Sequence, residues 1–207
     1  MPRSRAQTRE RLLAAALDVF AEEGFGRSTV EQVCERAGFT RGAFYSNFDS
    51  LDELFLAMWG QRSQAMLDGI RDAVAAAEAA ADAEPFDLDQ GAARILAAIP
   101  VEDRWYRITA EFTAHALRNP ALKSVMAARE AAIQATILPI VDSALARAGR
   151  RITDPQALGR ALVAVHDGTS VQVLMEPGDP QIVSARTELF VCVLRNFSEN
   201  SSPSENK

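Results

Sequence analysis

The chain has 207 residues and a mass of 22.5 kDa, room for one large domain or two small ones. At 48% hydrophobic and 24% charged it has ordinary globular composition, which excludes wholesale disorder, and two cysteines far apart in sequence, Cys34 and Cys192, exclude a disulfide scaffold and suggest thiols in a reducing cytoplasm. A net charge of −6 and a pI near 5.1 exclude a protein coated in positive charge.

Charge distribution qualifies the sum. Residues 1–9 carry Arg3, Arg5 and Arg9 with no acid, and residues 36–48 carry Arg36 and Arg41 with no acid. Such local surface can meet phosphate while the rest of the chain stays acidic. No apolar run approaches the ~20 residues of a membrane helix. The apolar stretch behind the basic N-terminus is broken by Asp18, Glu22 and Glu23, so it lacks the uncharged core of a signal peptide.

Apolar residues recur at three- and four-residue steps nearly throughout, which predicts helix. The first helix is predicted from about Gln7 to Glu23, with Leu13, Ala16, Leu17 and Phe20 on one face and a stop at Gly24. Ser28 with Glu31 reads as a capping box opening a short second helix that ends near Ala37-Gly38. Thr40 caps a short third helix through about Asn47. Ser50 with Glu53 is a second capping box, opening a long fourth helix toward residue 82, broken by Pro85. Asp87 caps a fifth, and a sixth runs from about Glu102 to Arg118. Asn119-Pro120 opens a seventh that bends at Pro139 and ends by Gly149. Asp154-Pro155 opens an eighth to about Met175, and Asp179-Pro180 a ninth to about Asn196. The polar tail from Ser198 to Lys207 is expected to be disordered. No alternating strand pattern, Gly-rich phosphate loop or fixed repeat is evident. The expected fold is all-α, with about nine helices, three short ones followed by longer ones.

Ser28–Leu54 is the informative stretch. Two short helices joined by a Gly-containing turn, Ala37-Gly38-Phe39-Thr40, form the helix-turn-helix pattern. Val30, Val33, Phe39 and Phe44 can pack the pair onto the first helix, leaving Thr40, Arg41, Gly42, Ala43 and Tyr45 facing outward. A helix of that kind fits the DNA major groove, with arginine bidentate to guanine and small residues allowing close approach. The helix starts at Thr29 and Thr40 favour phosphate.

The run Thr29–Phe48 (TVEQVCERAGFTRGAFYSNF), with Arg9–Gly24 before it and Asp52-Glu53-Leu54-Phe55 after it, closely resembles the DNA-binding domain of the tetracycline-repressor (TetR) family over about residues 7–58. The resemblance implies a dimeric bacterial transcription regulator, usually a repressor. Its helix-turn-helix domain would span residues 1–50, its effector-binding and dimerisation domain 51–198, and its tail 199–207. It implies DNA contacts at Thr29, Thr40, Arg41, Gly42, Ala43, Tyr45 and Asn47. The family usually places a lysine against the DNA backbone where this chain has Leu51, and Arg3, Arg5 or Arg9 can compensate.

Beyond residue 58 no specific motif appears. Trp59, Met66, Phe86, Trp105, Phe112, His115, Met126 and Ile137 are candidates to line an effector chamber, expected to be mostly apolar with a few polar groups. Aromatic and Met residues at helical spacing are more often plain core. Two apolar stripes, Leu158-Ala161-Leu162-Val165-Thr169 and Ile182-Leu189-Phe190-Val193-Phe197, suggest a four-helix dimer interface. Both cysteines are expected to be buried. Neither has Cys or His partners at zinc spacing, and no cofactor is implied. The expected function is an operator-binding repressor released by a small apolar or amphipathic ligand. The alternatives are a transcriptional activator, a helical adaptor, or a helical enzyme using His115 or the His166-Asp167 pair.

Overall fold

Local hydrogen bonds open most of the helices. The structure, a computed structural model, describes residues 4–80 and 87–201; Arg3, Pro85, Phe86 and residues 202–207 lie outside the described residues. Helix α1 (Arg5–Glu23) starts two residues earlier than expected. Ser4 Oγ accepts from the Gln7 backbone N–H, and the Gln7 side chain accepts from Ser4 N–H. Helix α2 (Val30–Ala37) is capped by Thr29 with Gln32, not by Ser28 with Glu31. The Ser28 hydroxyl instead donates to the Gly24 carbonyl at 2.7 Å, closing a 3₁₀ turn at Phe25–Arg27, so the cap falls to the next hydroxyl. Helices α3 (Arg41–Tyr45) and α4 (Leu51–Ala80) follow. Ser50 Oγ accepts from Glu53 N–H, while the Glu53 carboxylate reaches Asp49 N–H. Asp87, Asn119, Asp154 and Asp179 cap α5 (Leu88–Ala97), α7 (Pro120–Arg147), α8 (Pro155–Met175) and α9 (Pro180–Asn196) as expected. Helix α6 spans Asp103–Ala116. That makes nine α-helices among the described residues.

The expectation of no strand is corrected at the C-terminus. Strand β1 (Arg150–Ile152) pairs antiparallel with β2 (Ser198–Asn200), so the polar tail is ordered through these residues. Arg150 makes the pairing: its guanidinium donates to the Ser198 hydroxyl at 2.8 Å, the Ser198 carbonyl at 2.7 Å and Asn200 Oδ1 at 3.1 Å. Three-residue strands are too short to show a period of two, which is why the pattern did not reveal them.

The chain divides into two compact units. The first comprises Met1–Gln64 and Glu102–Met126, and so takes in α6, which the sequence division at residue 50 placed elsewhere. Its core joins Leu12, Phe20, Val33, Phe44, Phe55, Ile108 and Phe112. Phe55 stacks on Phe112 at 3.8 Å between centroids, and Phe25 meets Phe20, Phe55 and Phe112 edge-on. Each fully buried phenylalanine is worth about 1.5–3 kcal/mol, so this cluster anchors the unit. Polar contacts add to it: Glu111 accepts from Phe25 N–H at 2.7 Å, and Arg104 pairs with Asp18.

The second unit comprises Ala65–Val101 and Ala127–Lys207. Its core joins Ile70, Leu96, Val141, Leu145, Leu158, Leu162, Phe190 and Leu194. Much of the two stripes expected at a dimer interface is used here, inside one chain. Leu158, Leu162, Thr169 and Phe190 are buried, and Ala161, Val165, Ile182, Val193 and Phe197 half-buried. The reason is pairing within the unit, α8 against α9 and α9 against α5. Exposed instead are Ala164, Gly168 and Met175 on α8, and Val183, Leu189 and Cys192 on α9. Cys192 therefore departs from the expected burial, whereas Cys34 is buried and its thiol is pushed up by desolvation. Helix α7 is long and apolar enough to span a membrane by length and composition, contrary to the sequence reading. It contributes Leu122 to the first core and Val141 and Leu145 to the second, while most of its residues stay exposed or half-buried.

Candidate nucleic-acid interface

The turn between α2 and α3 depends on Gly38, which takes φ 69° and ψ 39°. Its N–H reaches Glu35 O at 3.1 Å, and Phe39 N–H reaches Cys34 O at 2.9 Å, so the last carbonyls of α2 are satisfied while the chain reverses. Thr40 Oγ1 accepts from Ala43 N–H at 3.2 Å and starts α3. Phe44 is fully buried and holds α3 down by its back. The opposite face presents Thr40, Arg41, Gly42 and Tyr45 to solvent, with Ala43 half-buried. A Cβ at Gly42 would meet only Thr40 Oγ1, at an ordinary 3.7 Å. Nothing inside the described chain requires a glycine there.

Arg41 is not idle. Its guanidinium pairs with Glu31 of α2 at 2.5 Å and lies 5.9 Å from the Tyr45 ring centroid. The Tyr45 hydroxyl first, and Glu31 second, raise its pKa further. Sequence reading missed Glu31 as a partner because it treated that residue as part of a cap. Thr29 is exposed, but its hydroxyl and N–H are engaged with Gln32. Asn47 is half-buried; its Nδ2 donates to the Ala43 carbonyl at 2.8 Å, tying down the end of α3. It sits behind the exposed face rather than on it.

Arginines of α1 brace this arrangement. Arg5 donates to the Ser46 carbonyl at 2.9 Å, Arg9 to the Asn47 carbonyl at 3.0 Å, and Arg11 to the Ala37 carbonyl at 2.7 Å. Arg9 also lies over the Phe48 ring at 4.2 Å. Sequence reading assigned Arg5 and Arg9 to phosphate and did not single out Arg11. The i, i+4 spacing of Arg5 and Arg9 on one helix face was the available signal. Leu51, where the family usually has lysine, is half-buried and packs against the first core.

The candidate effector residues do not form one set. Phe112 is fully buried in the first core, with Trp59, Trp105 and Met126 packed against that core. Phe55 stacks on Trp105 at 5.9 Å. His115 is half-buried near Phe25 and Phe112, its Nε2 3.2 Å from Asp52 Oδ1 but without the alignment of a hydrogen bond. Met66 and Ile137 belong to the second core. His166, also in the second unit, is pushed down to about 4 by burial and by the Arg186 cation. Among the described residues no group of His, Cys, Asp and Glu is arranged to hold a metal ion.

A helix-turn-helix with a buried back and an exposed, glycine-bearing second helix defines the class of domain that reads DNA in the major groove. The family model of bacterial regulatory proteins of the tetR type matches residues 12–58, and that of the C-terminal domain of BetI-type transcriptional repressors matches residues 87–189. The repressor BepR of Brucella suis biovar 1 is 41% identical over 56 residues, 27% of each chain. The regulator SrpR of Pseudomonas putida is 39% identical over 56 residues, 27% of this chain and 26% of that one. The match thus spans about a quarter of these relatives' length. Among solved structures, the multidrug binding protein EbrR complexed with imidazole is similar at 28% identity and a TM-score of 0.62, covering 99% of this chain and 96% of that one. The chain belongs to the TetR family of transcriptional regulators, whose members matched here are regulators rather than enzymes.

Proposed function

We propose that the chain is a sequence-specific, operator-binding repressor in the cytoplasm that acts as a homodimer and leaves DNA when a small apolar or amphipathic molecule binds. The observation that carries the DNA-binding part is the α3 face of Arg41, Gly42 and Tyr45 above a fully buried Phe44. In this reading Arg41 contacts guanine, Ala43 a thymine methyl, and Thr40, Tyr45 and Thr29 the backbone. Arg5 reaches phosphate from the start of α1, and Asn47 holds α3 in place.

The repressor sign is supported by the BetI-type repressor match and by BepR. The ligand part is supported by EbrR, which is a multidrug binding protein. Trp59, Trp105, His115 and Met126 in the first unit, and Met66 in the second, are half-buried and each keep some exposed surface, whereas Phe112 has none. The dimer rests on the exposed α8 and α9 residues, where Ala164 and Gly168 permit close approach beside Val183 and Leu189. Two recognition helices then read half-sites about one turn of DNA apart.

Genome-wide mapping of bound sites, followed by a promoter reporter with and without the protein, tests the reading. A two-fold-related site whose promoter is silenced supports it. A promoter that rises with the protein makes it an activator. No enrichment of any sequence refutes DNA recognition. Sedimentation of a monomer at micromolar concentration refutes the dimer.

A further inference from the structure

Arg186 on α9 stands apart from the other buried polar groups. Among the described residues, Thr169, Ser170, Arg186 and Ser198 are the buried polar or charged side chains. The three hydroxyls are satisfied by carbonyls of their own helical turns: Thr169 donates to Val165 O, Ser170 to His166 O and Ser198 to Leu194 O. Arg186 is 7% exposed, and its Nε is enclosed without a hydrogen-bond partner. Its Nη2 lies 3.3 Å from Nδ1 of His166 on α8. A guanidinium has only donors, so Nδ1 must accept, and the imidazole is neutral with its proton on Nε2. No carboxylate pairs with Arg186 among the described residues. A buried cation is ordinarily matched by an anion.

The surroundings define what would match it. Phe190 lies four residues beyond Arg186 on α9, and Leu162 four residues before His166 on α8, so each shares a face with its basic neighbour. Both belong to the apolar core of this unit. A single positive charge therefore sits one helical turn from an apolar wall. Because His166 is neutral, one negative charge suffices and two would be left in excess. The unpartnered Nε–H and Nη2 share one edge of the guanidinium, the edge that can take a carboxylate through two parallel hydrogen bonds.

We propose that Arg186 anchors the carboxylate of a small monoanionic ligand whose apolar body lies along the Leu162 and Phe190 layer; this rests on the reading of the chain as a ligand-released regulator and names the class of that ligand.

The test uses the full chain with two carboxylates, decanoate and 4-phenylbutyrate, against their neutral counterparts decanol and 4-phenylbutanol. Calorimetry should show a carboxylate binding the wild type. Arg186→Met should weaken that binding by about tenfold to a hundredfold, the worth of hydrogen bonds to a charged group, and leave alcohol binding within about threefold. Arg186→Lys should restore part of it. In wild-type protein labelled with 15N-arginine, the carboxylate should move the Arg186 Nε–H signal. That measurement decides the matter even if Arg186→Met does not fold. Absence of binding by both carboxylates overturns the proposal. So does equal binding to wild type and Arg186→Met, or a tenfold weaker dimer in the variant, which would make the guanidinium a subunit contact. Operator binding is measured separately. A carboxylate that binds through Arg186 without releasing DNA keeps the site and defeats ligand release. Compounds that release wild type and variant alike, with no carboxylate bound, do the reverse.

Discussion

Gly42→Ala separates what α3 does for the fold from what it does for DNA. Inside the protein the added methyl group meets only Thr40 Oγ1 at 3.7 Å, an ordinary contact. Gly42 is exposed and helical, with no positive φ, so alanine fits its backbone. Replacing glycine by alanine inside a helix is worth about 0.5–1 kcal/mol, and α3, only five residues long, should gain that much. If α3 lies in the major groove, the same methyl meets the bases. Overpacking a close-fitting contact costs about 1–3 kcal/mol, and a dimer carries the change twice. Operator affinity should therefore fall by at least about tenfold, with 1.4 kcal/mol per factor of ten. Urea denaturation reads the first effect, and fluorescence anisotropy with the mapped operator duplex reads the second. A more stable protein that binds its operator poorly supports the docking of α3. A more stable protein with unchanged affinity would show that this face does not approach DNA. A less stable protein would show that the space around Gly42 has been misjudged.

Glu31→Gln should tighten operator binding several-fold, because Arg41 no longer leaves a carboxylate at 2.5 Å to reach DNA. The gain should vanish in an Arg41→Ala background, which itself weakens binding roughly 5- to 150-fold and relaxes base preference; an equal gain there refutes the pairing argument. Gly38→Ala should cost about 1–2 kcal/mol by denaturation, since φ is 69° while the nearest atom to a new Cβ, Arg11 Nη2, stays 3.5 Å away; a cost near zero refutes the strain. Leu51→Lys should lose roughly 1 kcal/mol of stability through its half-burial, while steepening the salt dependence of DNA binding by up to about 2 per dimer; an unchanged slope places residue 51 away from the phosphates. His166 should titrate by NMR at about 4. Its folded pKa lies below the unfolded 6.5, so the stability it contributes is full above pH 6.5 and lost as pH falls toward 4. Asp167 opposes this: desolvation, and then Glu130, push it up to about 6, and protonation favours the fold over the same window. Asp167 is exposed, so solvent screens its share and a shallow net loss remains. A His166 titration near 6.5 would show that the ring is hydrated and not held beside Arg186.

Helix starts were legible because their causes are local. Asp87, Asn119-Pro120, Asp154-Pro155 and Asp179-Pro180 each bond or shape backbone within three residues, so the string of residues contains the whole interaction. Gly38 was legible for the same reason, and with Phe44 it made the helix-turn-helix readable before any coordinates. The cap at Thr29 was misplaced by one residue because the competing partner of Ser28, the Gly24 carbonyl, depends on a turn that the pattern does not display. What the tertiary structure alone decided involves residues distant in sequence. Arg11 meets the Ala37 carbonyl, Arg150 pins Ser198, and Phe25 gathers Phe55 and Phe112. The α8 stripe illustrates the limit best. Its apolar spacing required that something cover it, and this much the sequence determined. Whether the cover was a second copy or α9 of the same chain depended on how the helices pack, because hydrophobic burial is non-directional and rewards any apolar partner alike.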